Sequence, residues 1–336
     1  MTRVERFLAA SIVVPFVIGY SVADAGPGPG DRVCRFQDPQ IVEASGLVAR
    51  KGRFVTVNDS GDSGRVFTVD ARTCRTVGVT SWADEVDDVE AVAPVGGEVL
   101  VGDIGDNLGR RDSVRLLRVP IGPGHRTVTP TTYEITYPRG PRDAEALLVH
   151  PRTGRVLIAS KGLMSGTLYA APKRLSESEP NRMTPVADVP GLVTDGAFFP
   201  DGRHLVLRTY SRAVFYSYPA LEAVGEVKLP HQQQGEGIAV DEAGRVYLSS
   251  EGLRAPVLRL RLPRRLTAVL ERPDPEPTDR PTQGETTGPR GPTAGPSNGP
   301  LTEPETAAER PAWPWLLGGA FGLGVIVVLL RALRPR

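Results

Sequence analysis

The fold is decided by the stretch Glu90-Ala91-Val92-Ala93, which is followed by Gly97 and then by Glu98-Val99-Leu100. An acidic or small polar residue, a small residue and an apolar run therefore lead through a glycine turn into a second β-rich stretch. Related stretches occur at Ser45-Gly46-Leu47-Val48, Glu145-Ala146-Leu147-Leu148, Asp195-Gly196-Ala197-Phe198 and Glu236-Gly237-Ile238-Ala239. Repeats spaced by roughly 40 to 55 residues, each with about four short strands, predict an all-β fold, the β-propeller.

The number of blades follows from the outermost strands. The first four repeats each offer a fourth strand, and the fifth does not. The segment Arg32-Val33-Cys34-Arg35-Phe36 precedes the first repeat and is predicted to supply the missing strand, which would close the ring and remove its exposed edges. We therefore predict a propeller of five blades over residues 31–266. A sixth blade within the long second repeat, residues 88–142, is the alternative.

The same closure predicts a disulfide. It places Cys34 on the outermost strand of blade five, beside the outermost strand of blade one, which carries Cys74. These are the two cysteines of the chain, and both belong to a region predicted to be exported. A disulfide between Cys34 and Cys74 is therefore favoured over a metal site.

Both ends of the chain carry targeting signals. Residues 1–25 combine two early arginines, an apolar run and the small-residue site Ala23-Asp24-Ala25, which predicts a signal peptide, with an uncleaved anchor as the alternative. Residues 312–331 are predicted to form a transmembrane helix, because the segment from Trp313 to Leu330 is apolar, lacks charge and is long enough to span a bilayer, with Trp313 and Trp315 at one edge. Residues 332–336 form a basic tail that the positive-inside rule places in the cytoplasm.

Residues 267–311 are rich in Pro, Thr, Glu and Gly and are predicted to form a disordered stalk. The expected localisation is the plasma membrane, as a single-pass protein with an extracytoplasmic propeller. A net charge of +1 argues against nucleic acid as a partner. The expected partners are the membrane, through the C-terminal helix, and an extracytoplasmic ligand or protein, and we expect a monomer.

Acidic residues are predicted to converge on the propeller axis. The loop that enters the innermost strand and the loop that leaves the second strand should lie on one face of the ring. The first set of loops contributes Asp88, Glu90, Asp143, Glu145, Asp195 and Glu236. So many carboxylates would repel one another, and calcium, which prefers oxygen ligands, would offset them. The alternative, which repetition favours, is that each acid accepts hydrogen bonds from backbone amides of the next blade.

The loops that leave the second strands supply the candidate ligand-binding residues. Asp59 and Asp103 begin an Asp-x-Gly-Asp sequence that blades one and two share, which suggests equivalent positions. Lys161 and Arg208 are the cations at these exits and would suit an anionic ligand, although neutralising the acidic ring is the favoured interpretation. Gly61-Asp62-Ser63-Gly64 copies the nucleophile motif of trypsin-like proteases but lacks matching partners, and is interpreted as a turn.

These motifs carry a family resemblance. The stretches Asn58-Asp59-Ser60-Gly61-Asp62, Asp88-Val89-Glu90-Ala91-Val92 and Asp143-Ala144-Glu145-Ala146-Leu147, among others, resemble secreted bacterial WD40-like β-propeller proteins. Glu236-Gly237-Ile238-Ala239 is similar to phytase-like esterases and SdiA-regulated propellers. The phytase-like resemblance implies Glu90, Glu145, Asp195 and Glu236 as metal ligands, with Lys161 and Arg208 contacting phosphate. Few basic residues accompany them on that face, unlike in those enzymes.

The sequence is compatible with three functions. The leading hypothesis is a membrane-anchored binding module whose acidic face takes a ligand or a protein, with a central metal ion as an additional expectation. The alternative is a calcium-dependent hydrolase of phosphoester, ester or lactone bonds. A third interpretation is an envelope scaffold that binds a partner through its sides. No catalytic residue is predicted, because fold alone does not supply function.

Overall fold

The computed structural model describes residues 30–59 and 61–272. The predicted signal peptide, the transmembrane segment, the cytoplasmic tail and the stalk beyond residue 272 lie outside these residues. Within the described residues, no helix is long and apolar enough to cross a membrane.

Short strands account for nearly all regular structure. Along the chain they are β1 (Gly30–Arg35), β2 (Ala44–Arg50), β3 (Arg53–Asn58), β4 (Arg65–Asp70), β5 (Thr76–Ser81), β6 (Val89–Val95), β7 (Glu98–Asp103), β8 (Val114–Pro120), β9 (Gly124–Thr127), β10 (Thr131–Thr136), β11 (Ala144–Val149), β12 (Val156–Ser160), β13 (Ser165–Ala170), β14 (Asn181–Arg182), β15 (Thr184–Pro190), β16 (Val193–Phe198), β17 (His204–Thr209), β18 (Arg212–Ser217), β19 (Ala223–Lys228), β20 (Ile238–Val240), β21 (Val246–Leu248) and β22 (Pro256–Leu260). One described helix, α1 (Arg264–Leu270), follows.

The strands form five sheets, which are the five blades of a propeller. From the innermost strand outward, blade one is β2-β3-β4-β5, blade two is β6-β7-β8-β10, blade three is β11-β12-β13-β15 and blade four is β16-β17-β18-β19. Blade five is β20-β21-β22-β1, so the first strand of the ring completes the last blade. The prediction of five blades is confirmed, as is the closure by the N-terminal segment.

The disulfide between Cys34 and Cys74 is confirmed, and it joins blade five to blade one. Cys34 lies on β1, as predicted. Cys74 does not lie on the outermost strand of blade one: it occupies the turn between β4 and β5. Cys74 has a φ of 54°, and its backbone amide donates a hydrogen bond to the Asp70 carbonyl, as in a tight turn. The next strand therefore begins only at Thr76.

The extra length of the second repeat extends an existing blade and does not build a sixth. Residues of β9 pair in parallel with β5, on the outer edge of blade one. Gly78 permits this approach, because a Cβ there would lie 2.0 Å from the Gly122 carbonyl oxygen. In a similar way, β14 pairs in parallel with β10 on the edge of blade two. Both additions cover edges that would otherwise expose unpaired backbone groups.

The hydrophobic core is divided among the spaces between neighbouring blades. One apolar cluster fills each space, and each draws residues from two adjacent sheets. The cluster between blades five and one, for example, contains Phe54 of β3, Phe67 of β4 and Tyr247 of β21, with the Phe54 and Tyr247 rings in edge contact at 5.2 Å. Each blade therefore buries its apolar side chains against both of its neighbours.

The helix α1 packs on the outer part of blade four. Leu266 and Leu270, one turn apart, are its buried residues. Gly225 of β19 makes room for Leu266, because a Cβ there would lie 2.9 Å from a Leu266 methyl carbon. The packed part of the chain therefore continues to Leu270, past the predicted boundary at residue 266.

Candidate functional site

The site lies on one face of the ring, which we call the loop face. It is formed by the loops that enter the innermost strands and by the loops that join the second strand of each blade to the third. Backbone contacts show that these two sets of loops meet: the Lys161 amide donates to the Asp143 carbonyl at 2.8 Å, and the Asp59 amide donates to the Glu43 carbonyl at 2.9 Å. The prediction that these loops share a face is therefore confirmed.

A β-bulge at the start of the innermost strand aims the acidic side chains. In blade two, Val89 pairs with Asp103 and Ala91 pairs with Gly102, so Glu90 is an extra residue without its own partner. In blade three, Glu145 is the extra residue in the same way. A bulge breaks the alternation of side chains along a strand and re-aims one of them. Both glutamates are consequently buried near the axis, at 4% and 3% exposure.

The same register corrects the alignment of blade four. There Val193 pairs with Thr209 and Asp195 pairs with Arg208, so the extra residue is Thr194. The position of Glu90 and Glu145 is thus held by Thr194 in blade four, and Asp195 lies one residue further along. Thr194 is used structurally, because its hydroxyl donates to the Glu236 carbonyl at 2.9 Å. Ser45 of blade one does the same to the Glu90 carbonyl at 2.6 Å.

Asp195 is held by backbone amides. Its side chain is fully buried, and it accepts hydrogen bonds from the amides of Leu47 at 3.2 Å, Ile238 at 2.7 Å and Gly196 at 2.7 Å. Leu47 and Ile238 belong to the innermost strands of blades one and five, whose inner edges have no further strand to pair with. Burial raises the Asp195 pKa to about 8 against the opposing effect of these amides. Asp195 therefore links three blades at the axis.

Arg208, predicted to contact a ligand, is also fully buried. Its guanidinium donates to the carbonyls of Gly237 at 2.6 Å and Ser249 at 2.8 Å, and to the Gln232 side chain at 2.9 Å. Burial lowers its pKa to about 10, although Glu236 and Asp195 favour its charged form. These contacts join blade four to blade five and leave no exposed surface for a ligand.

Lys161 pairs with Glu145, and both residues belong to blade three. The ammonium group retains 21% side-chain exposure, whereas the carboxylate is buried. Burial raises the Glu145 pKa, and the ion pair with Lys161 partly offsets that rise. The phenol of Tyr210, from the equivalent loop of blade four, faces the same ammonium group. Burial raises the Tyr210 pKa, and Lys161 only partly offsets that rise.

Three carboxylates from blades one and two converge on the loop face. One oxygen each of Asp59, Asp88 and Glu90 lies within 4.8 Å of the others. Gly105 permits this approach, because a Cβ there would lie 2.4 Å from an Asp88 oxygen and 2.8 Å from a Glu90 oxygen. Within residues 30–59 and 61–272, no donor hydrogen-bonds to the Glu90 carboxylate. Burial, followed by the charge of Glu145, strongly raises the Glu90 pKa.

Asp143 borders this cluster. It accepts a hydrogen bond from the Asp106 amide at 2.9 Å, and burial raises its pKa, with the charges of Asp106 and Asp59 contributing in the same direction. We call Asp59, Asp88, Glu90 and Asp143 the acidic centre. It unites one predicted metal ligand, Glu90, with one predicted ligand-binding residue, Asp59. The other predicted metal ligands are engaged elsewhere or stand apart.

Glu236 of blade five stands apart. Its side chain is 4% exposed, and one carboxylate oxygen has no hydrogen-bond partner among the described residues. Burial raises its pKa to about 8, and the charges of Glu145 and Glu251 add to that rise. Arg208 and Lys161 act in the opposite direction but form no ion pair with it.

Asp103 organises a loop. It is fully buried, accepts hydrogen bonds from the amides of Asp87 at 3.3 Å and Asp88 at 3.0 Å, and pairs with Arg111 and Arg115. Asn58 does the same in blade one, where its side-chain oxygen accepts the amides of Val42 and Glu43.

Asn58 and Asp103 are equivalent, since each is the last residue of a second strand. The Asp-x-Gly-Asp sequences of blades one and two are therefore offset by one residue, and the equivalence expected between them is wrong. Asp59 consequently lies one position further along its loop than Asp103 does, where it approaches Asp88 and Glu90. The protease-like tetrapeptide lies in the same loop of blade one, where Asp62 binds Arg65 at 2.7 Å and serves the turn.

Comparison with known protein families gives no matching family model, and comparison with curated proteins gives no match either. The resemblance to WD40-like and phytase-like propellers therefore stays a prediction. What the loop face does has to be argued from its own geometry.

Proposed function

We propose that this protein is a binding module, tethered to the plasma membrane with its propeller outside the cytoplasm, and that its loop face binds a divalent cation. The donor set is Asp59, Asp88 and Glu90, and its all-oxygen chemistry suits calcium. Export is proposed from the predicted signal peptide at residues 1–25, and the tether from the apolar segment and basic tail at residues 312–336.

The convergence of the three carboxylates carries the proposal. Two oxygens that each lie about 2.4 Å from a calcium ion are at most about 4.8 Å apart, so the observed separation suits shared ligation. Glu90 supplies an independent argument, because it is buried, re-aimed by a bulge and without a donor. A buried carboxylate in this situation is costly unless a proton or a cation neutralises it.

The contacts of the two candidate cations favour binding over hydrolysis. A phosphoesterase would need accessible basic groups to hold the substrate anion. Arg208 is fully buried and donates to backbone carbonyls, while Lys161 is paired with Glu145. A binding module needs neither group free.

Calorimetric titration with calcium tests the proposal. Wild type should bind calcium and release protons at neutral pH, because cation binding ionises Glu90, whose pKa is raised by burial. Asp88→Asn should weaken binding by at least about tenfold, through loss of one charged ligand. Asp112→Asn is the matched control, because Asp112 is exposed on the loop between β7 and β8 and contributes no ligand. Equal calcium affinity in both variants would contradict the assigned site.

A further inference from the structure

The loop face carries most of the exposed apolar side chains. Nine large hydrophobic residues are exposed in the described part of the chain, and six of them lie on this face: Val42, Leu108, Leu163, Met164, Tyr210 and Leu253. The other three are on outermost strands of three different blades. Met164 is 88% exposed and Leu163 is 78% exposed. Apolar side chains concentrated on one face of a soluble domain mark an interaction surface.

These side chains are presented by loops whose backbones are fixed. The Leu192 amide donates to the Gly162 carbonyl at 2.8 Å, which ties the loop of Leu163 and Met164 to the entry into blade four. A Cβ on Gly191 would lie 2.5 Å from the Leu163 carbonyl oxygen, so the two segments are in close contact. The Gly252 amide donates to the Val42 carbonyl at 2.8 Å. Fixed loops lose little conformational entropy when a partner binds.

The charge inside this apolar rim is negative. The acidic centre contains four carboxylates, and two nearby cations are already paired with other carboxylates, Lys161 with Glu145 and Arg111 with Asp103. A divalent cation at Asp59, Asp88 and Glu90 would still leave the acidic centre with a net negative charge. Like charges across an interface disfavour two loop faces meeting, and they also disfavour an anionic lipid surface. The partner that complements this face therefore carries a basic group with apolar groups beside it.

We propose that the loop face docks a polypeptide partner, which directs a Lys or Arg side chain toward the acidic centre and packs apolar side chains on Leu108, Leu163, Met164, Tyr210 and Leu253. The inference rests on the proposed binding function of this face, but not on the cation. Buried apolar anchors supply most of the affinity in such interfaces, while charge fixes orientation and raises the association rate.

Selection of peptides on the propeller tests this inference. Residues 30–272 form a closed ring with its own core, so this segment serves as the bait for a display library of random peptides. Enriched peptides should combine basic and apolar residues. Replacing Leu163→Ser together with Met164→Ser should weaken their binding by at least about tenfold. Val186→Ser is the matched control, because Val186 is 44% exposed on β15, away from the loop face, and should leave affinity unchanged.

Several results would overturn the inference. The first is that no peptide is enriched, and the second is that acidic peptides are enriched. The third is that the variant with both Leu163→Ser and Met164→Ser binds the enriched peptides as tightly as wild type does. If the wild type co-sediments with phosphatidylglycerol vesicles and these serine substitutions abolish that binding, the loop face binds lipid. If the wild type self-associates and the substitutions abolish self-association, the loop face binds a second copy. A calcium titration of the same variant separates the two proposals. Calcium binding should persist when peptide binding is lost, and loss of calcium binding alone would contradict only the cation site.

Discussion

At the scale of single residues, similar carboxylates near the axis have different roles because their hydrogen-bond donors differ. Asp195 accepts three backbone amides, Glu145 has Lys161, and Glu90 has neither. Hydrogen-bond donors reduce the cost of burying a carboxylate, whereas a buried carboxylate without donors is more destabilising when it is ionised. These contacts support the proposed role of Glu90 as a cation ligand, whereas Asp195 belongs to the framework of the ring.

The raised pKa of Glu236 leads to a prediction of how the free energy of unfolding depends on pH. Its pKa rises from an ordinary value of 4.5 to about 8 on folding, so between these values the folded state holds a proton that the unfolded state has lost. The free energy of unfolding should therefore fall as pH rises from about 5 to about 8, by up to about 1.4 kcal/mol per pH unit for this group. Glu236→Gln should make the fall shallower by that contribution.

The measurement is urea unfolding of wild type and Glu236→Gln across this pH range, with chelator present so that no cation compensates. Asp112→Asn is the control and should follow wild type, because its carboxylate is exposed. Parallel curves for Glu236→Gln and wild type would show that Glu236 titrates normally.

At the scale of elements, the bulge and the loop that follows the second strand create the acidic centre together. The bulge turns Glu90 toward the axis, and Gly105 leaves the space that Asp88 and Glu90 need. The loop between β7 and β8 is further held by Asp106, which accepts the amides of Arg110 and Arg111. The arrangement of the proposed ligands is therefore set mainly by blade two, to which blade one adds Asp59.

Gly105→Ala tests this dependence. Its Cβ would lie 2.4 Å from an Asp88 oxygen, so the carboxylates must separate, and calcium affinity should fall by at least about tenfold. Gly97→Ala is the matched control in the same blade, because a Cβ there meets nothing within 4 Å. The readout is calcium titration, with circular dichroism to confirm that both variants fold. Unchanged affinity in a folded Gly105→Ala would exclude this arrangement of ligands.

The sequence predicted the elements well and the positions within them less well. The repeated apolar strands and glycine turns were sufficient for five blades, because strand alternation and turn chemistry are local. The one-residue offset of Asp195 was not predictable, since Thr194 and Asp195 are both polar and only pairing with Thr209 and Arg208 sets the register. The exposed pair Leu163 and Met164 was missed because a short apolar pair in a loop has no periodicity.

At the scale of the whole molecule, closure determines stability. Blade five is complete only when β1 joins β22, and the disulfide of Cys34 with Cys74 then ties that strand to blade one. The ring therefore relies on a contact between distant parts of the chain, and bringing them together costs conformational entropy on folding.

Replacing both cysteines by serine should lower the free energy of unfolding by about 4 kcal/mol, the value expected for a loop with a sequence separation of 40. Urea unfolding of the oxidised wild type and the double variant measures this difference. Wild type unfolded in reductant is the control and should match the variant. Equal stability of oxidised and reduced wild type would show that closure does not depend on the disulfide.

The thermal midpoint of residues 30–272, measured in chelator and in calcium, tests the proposal that Glu90 is a cation ligand. In chelator, Glu90→Gln should melt above wild type, because it removes a buried group that disfavours folding at neutral pH. In calcium at about 100 times the dissociation constant, wild type should gain about 2.7 kcal/mol, and Glu90→Gln should gain far less. A calcium response that is equal in both proteins, or absent from wild type, would contradict the account.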